Sequence, residues 1–404
     1  MTDMVKGNAV IGQSGGPTAV INQSLVGVIE AVGKCKSILR LLGARYGVRG
    51  IIQENFVDLR KIRPSLLEKL AITPAAALGS TRDKPDEAYC RNILNVFGKL
   101  NIRYFFYIGG NDSADTASII DGMADAEGYD LRVIHIPKTI DNDLCVTDHC
   151  PGYGSAARFV AAAFMGDDRD AASLPGIKIN VVMGRHAGWL TGASALGRLD
   201  ETCGPHLIYV PEVPFSLSHF AGDVGEVYAK LGRCQIAVAE GVSDESGKPV
   251  AQVLAEKLGK KLERDSHGNV QLSGTGTLGD FLADYVKMEL GGQKKLRVRA
   301  DTFGYLQRSF AGFASPVDQA EARRCGRKAV EFAMAGEKAG FVAIKRIRRK
   351  KYGVTYFKAN LSDVARKTKV MPRDFINQDG NGVTKKFIDY AMPLVGKLPV
   401  IGKL

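Results

Sequence analysis

The sequence has few of the features that mark membrane, secreted or zinc-bound proteins. In its 404 residues no apolar run approaches the roughly 18 residues that cross a membrane. The first residues, MTDMVKGNAVIGQSGG, contain no long apolar core of a secretory signal. Its seven cysteines are scattered without a CxxC pair, which disfavours a disulfide framework and a zinc cluster. We therefore expect a cytoplasmic protein with reduced thiols and no membrane partner.

The sequence also lacks a fixed-period repeat, and short apolar runs alternate instead with helix-like segments. The runs predicted as strands are NAVIG, ILRLL, YFFYI, VIHI, INVVM, LIYV and QIAVA. Such alternation is typical of parallel βα units whose sheets are covered on both faces. At about 150 residues per domain, the length suggests two or three domains, and we favour two. We predict an α/β protein of two Rossmann-like domains, with mostly parallel sheets covered by helices on both faces and an active site in the interdomain cleft.

One domain boundary is predicted where proline and glycine concentrate in HCPGYG, residues 149–154, between two helical patterns. The first domain would span 1–150 and the second 151–315. Residues 316–404 are expected to form a helix from Pro316 to about Ala335, the strand GFVAI and a basic hairpin-like segment. We expect this segment to pack on one or both domains.

The net charge of +12 fits a nucleic acid, an anionic membrane or an anionic substrate. Its densest basic run, KRIRRKK at Lys345–Lys351, directly follows GFVAI and is predicted to be the exposed end of a strand. The run has no interleaved aromatic residues of the kind that stack on bases. We therefore predict a solvated face and no nucleic-acid partner.

A literal GxGxxG pattern, Gly274 to Gly279 in SGTGTLG, is typical of dinucleotide sites only when it follows a strong strand. The preceding residues NVQLS are a weak strand pattern. We predict a tight loop that opens a helix from about Thr277 to Leu290.

Two polar segments follow predicted strands: GGNDS at Gly109–Ser113 and PKTIDND at Pro137–Asp143. In doubly wound sheets, ligands bind outside the carboxyl ends of the strands. The two segments are therefore expected to bring four charged side chains to one crevice: Asp112, Lys138, Asp141 and Asp143.

Within PKTIDND, two aspartates flank Asn142. One carboxylate can accept a proton from a substrate hydroxyl while the other holds a divalent cation that bridges phosphate oxygens. Phosphoryl transfer needs both tasks and a cation over the transferred group. A turn that caps the next helix would explain one aspartate but not the whole cluster from Lys138 to Asp143.

The first predicted strand ends in GQSGGPT, Gly12–Thr18, and a helix is predicted directly after it. Glycines let successive backbone N–H groups turn toward one point, and a helix N-terminus adds positive potential, which suits phosphate. The segment is neither a P-loop nor a full GxGxxG, and by itself it is equally compatible with a tight turn that binds nothing.

Together these motifs make the sequence resemble the 6-phosphofructokinases, in family order and over most of the chain. The matching segments are GQSGGPT, LGSTRDKP, GGNDS, PKTIDND, MGRHAGW, the AE of IAVAEG, and RADTFGYLQR. The resemblance implies Mg²⁺-dependent, reversible phosphoryl transfer to the 1-hydroxyl of fructose 6-phosphate, without a covalent enzyme intermediate. It also implies a homodimer or homotetramer.

The resemblance assigns a role to each matching residue. Asp141 would be the base, Asp143 would lie near the magnesium, and Arg185 would stabilise the transferring phosphoryl group, with Lys138 and Thr139 also in the catalytic set. Donor-binding positions would be Gly15, Gly16, Arg82, Asp112 and Lys138, and metal-binding positions Asp112 and Asp143. Fructose 6-phosphate would contact Thr139, Asp141, Asp143, Met183, Gly184, Arg185, Glu240, Arg299, Tyr305 and Arg308.

Two positions predict the phosphoryl donor. Family members that use ATP typically carry glycine where this chain has Asp112 and Lys138, whereas members that use diphosphate typically carry Asp and Lys. A carboxylate ~4 Å from a nucleotide α-phosphate costs about 4 kcal/mol at an effective dielectric of 20, roughly a thousandfold in affinity. Lys138 supplies a compact point charge for a small anionic donor. We therefore expect diphosphate as the donor, with ATP as the alternative.

The chain departs from the family pattern at three places. Asn111 stands where many members have a magnesium-binding aspartate, so Asp112 and Asp143 are expected to hold the metal. Tyr305 replaces a histidine that is common in ATP-using members. The arginine that usually reaches a neighbouring subunit's sugar phosphate is absent near INVVM, and Lys178 lies two places off.

Two alternatives come from other functional classes: a non-catalytic regulatory subunit that binds sugar phosphate, and a nucleic-acid-binding protein that uses Lys345–Lys351. Intact Asp141, Asp143 and Arg185 argue against the regulatory subunit.

Overall fold

The computed structural model describes residues 5–260, 276–292, 296–347 and 351–403. The chain divides into two units, and it passes between them more than once. Unit 1 comprises 1–155 and 308–369, and unit 2 comprises 156–307 and 370–404. The boundaries were predicted after residues 150 and 315, and the structure divides the chain after residues 155 and 307. The predicted C-terminal segment is shared between the two units.

The strands are β1 Gly7–Gln13, β2 Ile38–Ala44, β3 Phe56–Asp58, β4 Ile102–Gly109, β5 Arg132–Pro137, β6 Ile177–Val182, β7 Leu207–Tyr209, β8 Cys234–Ala239, β9 Val298–Thr302, β10 Ala339–Arg346 and β11 Val354–Ala359. The α-helices are α1 Ile21–Val32, α2 Val48–Ile52, α3 Pro64–Ile72, α4 Glu87–Lys99, α5 Asn111–Ala126, α6 Tyr153–Ser173, α7 Trp189–Ala193, α8 Leu217–Leu231, α9 Val250–Lys257, α10 Thr277–Leu290, α11 Leu306–Ser309, α12 Pro316–Met334 and α13 Lys385–Val395.

Unit 1 contains a seven-stranded sheet in the order β11-β10-β5-β4-β1-β2-β3. The five inner strands run parallel, whereas β11 and β3 are antiparallel at the two edges. Because parallel strands end at the same edge of a sheet, the loops after β1, β4 and β5 lie side by side.

Successive residues of the inner strands of unit 1 pack on opposite faces of its sheet. Phe105 and Tyr107 of β4 belong to one buried cluster, which includes α4 and α5. Tyr104 and Phe106 belong to the other, which includes α1 and α12. Burial on both faces explains why these strands are continuous apolar runs in the sequence.

Unit 2 contains a four-stranded parallel sheet in the order β7-β8-β6-β9. Buried side chains of α8, α9 and α10 pack against this sheet in one apolar cluster, with Phe220, Leu254 and Leu282 among the fully buried members. The predicted α/β class, with two helix-covered and mostly parallel sheets, is confirmed.

Several local predictions are also confirmed. The predicted helices at Pro316 to about Ala335 and Thr277 to Leu290 are α12 and α10, and GFVAI forms the antiparallel hairpin of β10 with β11. Gly274 and residues 348–350 of the basic run lie outside the described residues. In the described part of the chain, no helix has the length and apolar character to cross a membrane.

Candidate active site

Three loops of unit 1 meet at the carboxyl ends of β1, β4 and β5. Gln13 pairs with Ile108, and Gly109 pairs with Pro137. The segment after Gln13 is the glycine-rich GQSGGPT turn, the segment after Gly109 opens α5, and the segment after Pro137 carries the catalytic candidates. The side chains of Ser14 and Ser113 join the first two loops by a 2.9 Å hydrogen bond between their hydroxyls.

The turn at Gly15 and Gly16 is fixed by its neighbours. Gly15 has a φ of +74°, a conformation that favours glycine, and its N–H donates to the Thr81 carbonyl at 2.9 Å. The hydroxyl of Ser80 donates to the Gly15 carbonyl at 2.6 Å. The segment LGSTRDKP, which carries Arg82, therefore buttresses the glycine turn from one side.

Lys138 is buried against this turn. Only 4% of the residue is exposed, and its ammonium donates to the Gly16 carbonyl at 2.5 Å. A Cβ at Gly15 would lie 3.2 Å from the Lys138 Nζ, so the glycine leaves room for the ammonium. Burial lowers the pKa of Lys138 to about 8, against the opposing effect of the Asp141 carboxylate.

Asp112 lies in the first turn of α5, where the helix dipole favours a carboxylate. Its side chain is 66% exposed, and Oδ2 lies 3.2 Å from Nζ of Lys84. Lys84 is a residue that the sequence analysis missed, although it belongs to the LGSTRDKP motif. Asp112 of GGNDS and Lys84 of LGSTRDKP thus form an ion pair at the start of α5.

The loop that carries Asp141 and Asp143 is folded around Asn142. Asn142 is buried with a φ of +56°, and its Oδ1 accepts a 3.0 Å hydrogen bond from the Cys150 N–H. The Thr139 hydroxyl oxygen accepts from the Asp141 N–H at 3.1 Å. Burial raises the pKa of Asp143. Asn142 was also missed as a functional position, yet an asparagine between two aspartates is a signal for the left-handed conformation.

Arg308 lies in unit 1 beside the glycine turn. A Cβ at Gly16 would collide with the Arg308 guanidinium, and the charges of Arg308 and Arg82 both act to lower the pKa of Lys138. The sequence analysis assigned Arg308 to the sugar phosphate and Arg82 to the donor. The structure brings both arginines within electrostatic reach of Lys138.

In unit 2, the segment after β6 meets the segment after β8. Val182 pairs with Ala239, and the Glu240 N–H donates to the Val182 carbonyl at 2.9 Å. Gly184 has a φ of +148°, and its carbonyl accepts from the Gly241 N–H at 3.2 Å. The predicted sugar-binding residues Met183, Gly184, Arg185 and Glu240 are therefore brought together at one end of this sheet.

Tyr305 lies at the same end. Thr302 of β9 pairs with Val181, and the buried Gln307 accepts a 3.2 Å hydrogen bond from the Met183 N–H through its Oε1. Tyr305, between Thr302 and Gln307 in the chain, is 52% exposed. Gln307, which the sequence analysis missed, fixes the backbone of Met183.

Arg299 does not lie at this end of the unit 2 sheet. It pairs with Lys178 near the amino end of β6, roughly 13 Å along the strand from Val182 at ~3.3 Å per residue. Lys178 and Asp301 form an ion pair beside it. The structure of unit 2 therefore separates Arg299 from Met183, Gly184 and Glu240.

Known proteins resemble this chain in sequence over nearly its whole length. Residues 8–333 match the family described as phosphofructokinase. The chain is 54% identical over 394 residues to the pyrophosphate–fructose 6-phosphate 1-phosphotransferase of Rhodospirillum rubrum, covering 98% of this chain and 95% of that protein. It is 39% identical over 402 residues to the enzyme of the same name from Halomonas elongata, covering 97% of this chain and 92% of the other.

A solved structure shows the same likeness. The pyrophosphate-dependent phosphofructokinase of Marinobacter aquaeolei superposes with a TM-score of 0.85 at 34% identity, covering 98% of this chain and 94% of that one. The residues that match the family include the loops after β1, β4 and β5 and the ends of β6, β8 and β9. The chain belongs to the phosphofructokinase family.

Proposed function

We propose that this protein transfers a phosphoryl group reversibly from diphosphate to the 1-hydroxyl of fructose 6-phosphate, giving fructose 1,6-bisphosphate and phosphate. One observation carries the choice of donor: the Lys138 ammonium is buried against the Gly15–Gly16 turn, with its Nζ 2.5 Å from the Gly16 carbonyl oxygen. A cation held inside a phosphate-binding turn suits a small, densely charged donor that makes no nucleoside contacts.

Asp112 adds an argument against a nucleotide. Its carboxylate stands at the start of α5, where the helix dipole would otherwise favour a phosphate. A negative charge there repels a nucleotide α-phosphate by about 4 kcal/mol at ~4 Å and an effective dielectric of 20. Lys84 forms an ion pair with this carboxylate, so a diphosphate ion would meet a positive and a negative side chain next to each other.

Asp141 is the proposed base that accepts the proton of the sugar 1-hydroxyl as the oxygen attacks the phosphorus in line. The Thr139 hydroxyl oxygen orients the Asp141 backbone N–H. Lys138 would balance negative charge on the reacting phosphoryl group, together with Arg185 of unit 2. No covalent enzyme intermediate is required, because positioning and charge stabilisation account for catalysis of this reaction class.

Mg²⁺ fits the oxygen atoms that unit 1 offers. Asp112 and Asp143 supply carboxylates, and Oδ1 of Asn111 is buried without a hydrogen-bond partner among the described residues. Among the described residues, no group of three or more acidic, histidine or cysteine side chains is placed to hold a metal ion by itself. Mg²⁺ commonly binds one or two carboxylates and completes its shell with water and phosphate oxygens. When bound, it would neutralise charge on the diphosphate.

The sugar phosphate is proposed to contact Met183, Gly184, Glu240, Tyr305 and Arg308. Arg299 cannot join Met183 and Glu240 within one copy of unit 2, because it lies at the amino end of their sheet. We infer that it serves the sugar phosphate of a second copy, which requires a homodimer or homotetramer.

The donor proposal is tested by measuring fructose 1,6-bisphosphate formation with Mg²⁺ and either diphosphate or ATP. We expect transfer from diphosphate and little from ATP. Activity with ATP alone would overturn the choice of donor, and no transfer from either would favour a regulatory subunit that binds sugar phosphate. Omission of Mg²⁺ with a chelator should abolish transfer from diphosphate.

The proposed second copy is tested by complementation. Arg299→Ala and Asp141→Ser variants, each nearly inactive alone, are coexpressed with different tags and the mixed oligomer is isolated. If Arg299 acts in the neighbouring copy, some sites of the mixed oligomer contain both native residues and activity returns. A mixed oligomer as inactive as its parents would place Arg299 outside a shared site.

A further inference from the structure

A buried charged cluster in unit 1 takes no part in the steps proposed above. Its centre is His149, which is 2% exposed. The His149 Nδ1 lies 2.8 Å from Oδ1 of Asp148, and Nε2 lies 2.6 Å from Oε2 of Glu321 on α12. The Tyr352 hydroxyl donates to Oε1 of Glu321 at 2.6 Å. Burying an imidazole between two carboxylates costs desolvation free energy, which only well-placed hydrogen bonds offset.

The surroundings favour the charged form of His149. Burial disfavours the imidazolium, but the hydrogen bonds to Asp148 and Glu321 outweigh burial and raise the pKa of His149. Nη2 of Arg346 lies 3.2 Å from the same Oδ1 of Asp148. The cluster thus links the loop between β5 and α6, residues 138–152, to α12 by charge-assisted hydrogen bonds. Such bonds are about twice as strong as neutral ones.

The same face of α12 holds the far end of the loop. Asp318 lies three residues before Glu321, so both carboxylates project to one side of the helix. The Asp318 carboxylate accepts from the Gly152 N–H at 2.9 Å and from the N–H and hydroxyl of Ser155 at 2.8 and 2.6 Å. Two acidic residues of one helix therefore anchor the chain on both sides of residue 150.

The other side of the loop is held by β10 and by Lys369. The Asp148 N–H donates to the Ile344 carbonyl at 2.9 Å, and the Ile344 N–H donates to the Thr147 hydroxyl oxygen at 3.0 Å. The Lys369 N–H donates to the Asp143 carbonyl at 2.7 Å. These contacts satisfy the buried backbone groups of a segment that has no regular secondary structure.

Several hydrogen bonds connect the segment around His149 to the turn that carries the proposed base. The Lys369 ammonium donates to the Asp148 carbonyl at 2.9 Å, and the Thr139 N–H donates to the Pro151 carbonyl at 3.2 Å. The residue after His149, Cys150, donates its N–H to Oδ1 of Asn142 at 3.0 Å. Asn142 lies between Asp141 and Asp143. A shift of the chain at 149 and 150 therefore moves the turn on which both carboxylates stand.

We propose that His149 is a positioning residue for phosphoryl transfer: by joining Asp148 to Glu321 of α12, it sets the place of Asp141 and Asp143 through the Cys150–Asn142 hydrogen bond. The inference rests on the proposed function, since it assigns these two aspartates to the reaction. A misplacement of about 1 Å at a reacting group can cost a hundredfold in rate, so a small relaxation of the loop is measurable.

The test compares His149→Gln, Glu321→Gln and the double variant, assayed with diphosphate, fructose 6-phosphate and Mg²⁺ well below the lowest melting temperature. We expect each single variant to lose about tenfold in kcat while both KM values stay within about twofold. Because both residues belong to one link, the double variant should be no slower than the slower single variant. Tyr352→Phe removes only the hydroxyl that donates to Glu321, and its kcat should fall about two- to threefold.

The matched control is Ile38→Val in β2, a buried position of unit 1 whose apolar cluster includes no residue of 139–152, and this change should lower the melting temperature mildly. Its kcat should equal that of the native chain. If the His149 and Glu321 variants behave like this control, with a lower melting temperature and native kcat, their role is structural and the inference is overturned. If His149→Gln does not fold, Glu321→Gln and Tyr352→Phe decide by the same criterion.

Failure of the two proposals can be told apart. An inactive native chain with diphosphate overturns the proposed function and this inference with it. An active native chain and an equally active His149→Gln variant overturn only the inference.

Discussion

The candidate residues of unit 1 and unit 2 are held by different means. In unit 1 the loops after β1, β4 and β5 carry buried or paired charges, such as Lys138 against Gly16 and Asp112 beside Lys84. In unit 2 the corresponding end of the sheet is held by backbone hydrogen bonds, such as Glu240 to Val182 and Gly241 to Gly184. Buried charge suits bond making and breaking, whereas a fixed backbone with a carboxylate suits recognition of sugar hydroxyls.

This contrast predicts that changes to Asp112, Lys138 or Asp141 of unit 1 alter turnover or donor use, and that a change to Glu240 of unit 2 alters sugar affinity.

The largest effect is expected from Asp141→Ser. Loss of a positioned general base should lower kcat by about a thousandfold, with KM values changed only slightly. Steady-state kinetics of fructose 1,6-bisphosphate formation measures this loss. Asp130→Ser, at the exposed opposite end of β5, is the control and should keep native kcat. A near-native kcat in Asp141→Ser would remove Asp141 from the role of base.

The next effect is expected from Asp112→Gly combined with Lys138→Gly. The pair loses the charges that favour diphosphate and exclude a nucleotide, so kcat/KM for diphosphate should fall by about a hundredfold or more. The ratio of ATP to diphosphate use should rise.

The control for this variant removes a comparable exposed pair at the other end of α5. Asp125 and Lys338 lie 3.2 Å apart, and Asp125→Gly with Lys338→Gly should leave the donor ratio unchanged. An unchanged ratio in the Asp112 and Lys138 variant would mean that donor choice resides in other residues.

A smaller effect, and one on affinity, is expected in unit 2 from Glu240→Gln. Loss of a charged acceptor for a sugar hydroxyl should raise the KM for fructose 6-phosphate about tenfold or more, with kcat within about threefold. Glu245→Gln, exposed in the turn after β8, should show neither change. A fall in kcat without a change in KM would contradict the proposed division between the units.

The smallest effect, about twofold between pH 7 and pH 8, concerns the protonation of Lys138. Because burial lowers the pKa of Lys138 to about 8, its ammonium is present below that pH and is lost as pH rises through it. We expect kcat/KM for diphosphate, at fixed free Mg²⁺, to fall about tenfold per pH unit above about pH 8. The arginine in Lys138→Arg stays charged over this pH range, so kcat/KM for diphosphate should no longer fall above about pH 8 in this variant. If the same fall persists in Lys138→Arg, it reports the titration of another group.

Much of the fold and part of the site follow from local patterns. Runs such as YFFYI and VIHI are buried on both faces as predicted, and the polar segments after them mark strand ends. Because adjacent parallel strands end together, the neighbourhood of Lys138, Asp112 and the PKTIDND loop could be expected from the sequence. The family's motifs are also visible in the sequence, so the family could be predicted from them.

Other features depended on contacts between distant segments. The short edge strand β3 and the strand β9 have weak local patterns, and the sharing of residues 316–404 between the units depends on where β10 and α13 pack. Strand order is a property of packing between segments, which composition and periodicity do not contain.

The fold class, the family and the identity of the acids and cations around the predicted phosphate site follow from residue type and local spacing, which can be read from the sequence. Four other features arise only in the folded chain: Lys138 is buried against Gly16, Arg308 lies beside it, Arg299 lies at the far end of its sheet, and His149 joins its loop to α12. Each of these depends on the distance between side chains that are remote in the chain, and the register of the strands and the packing of the helices set that distance.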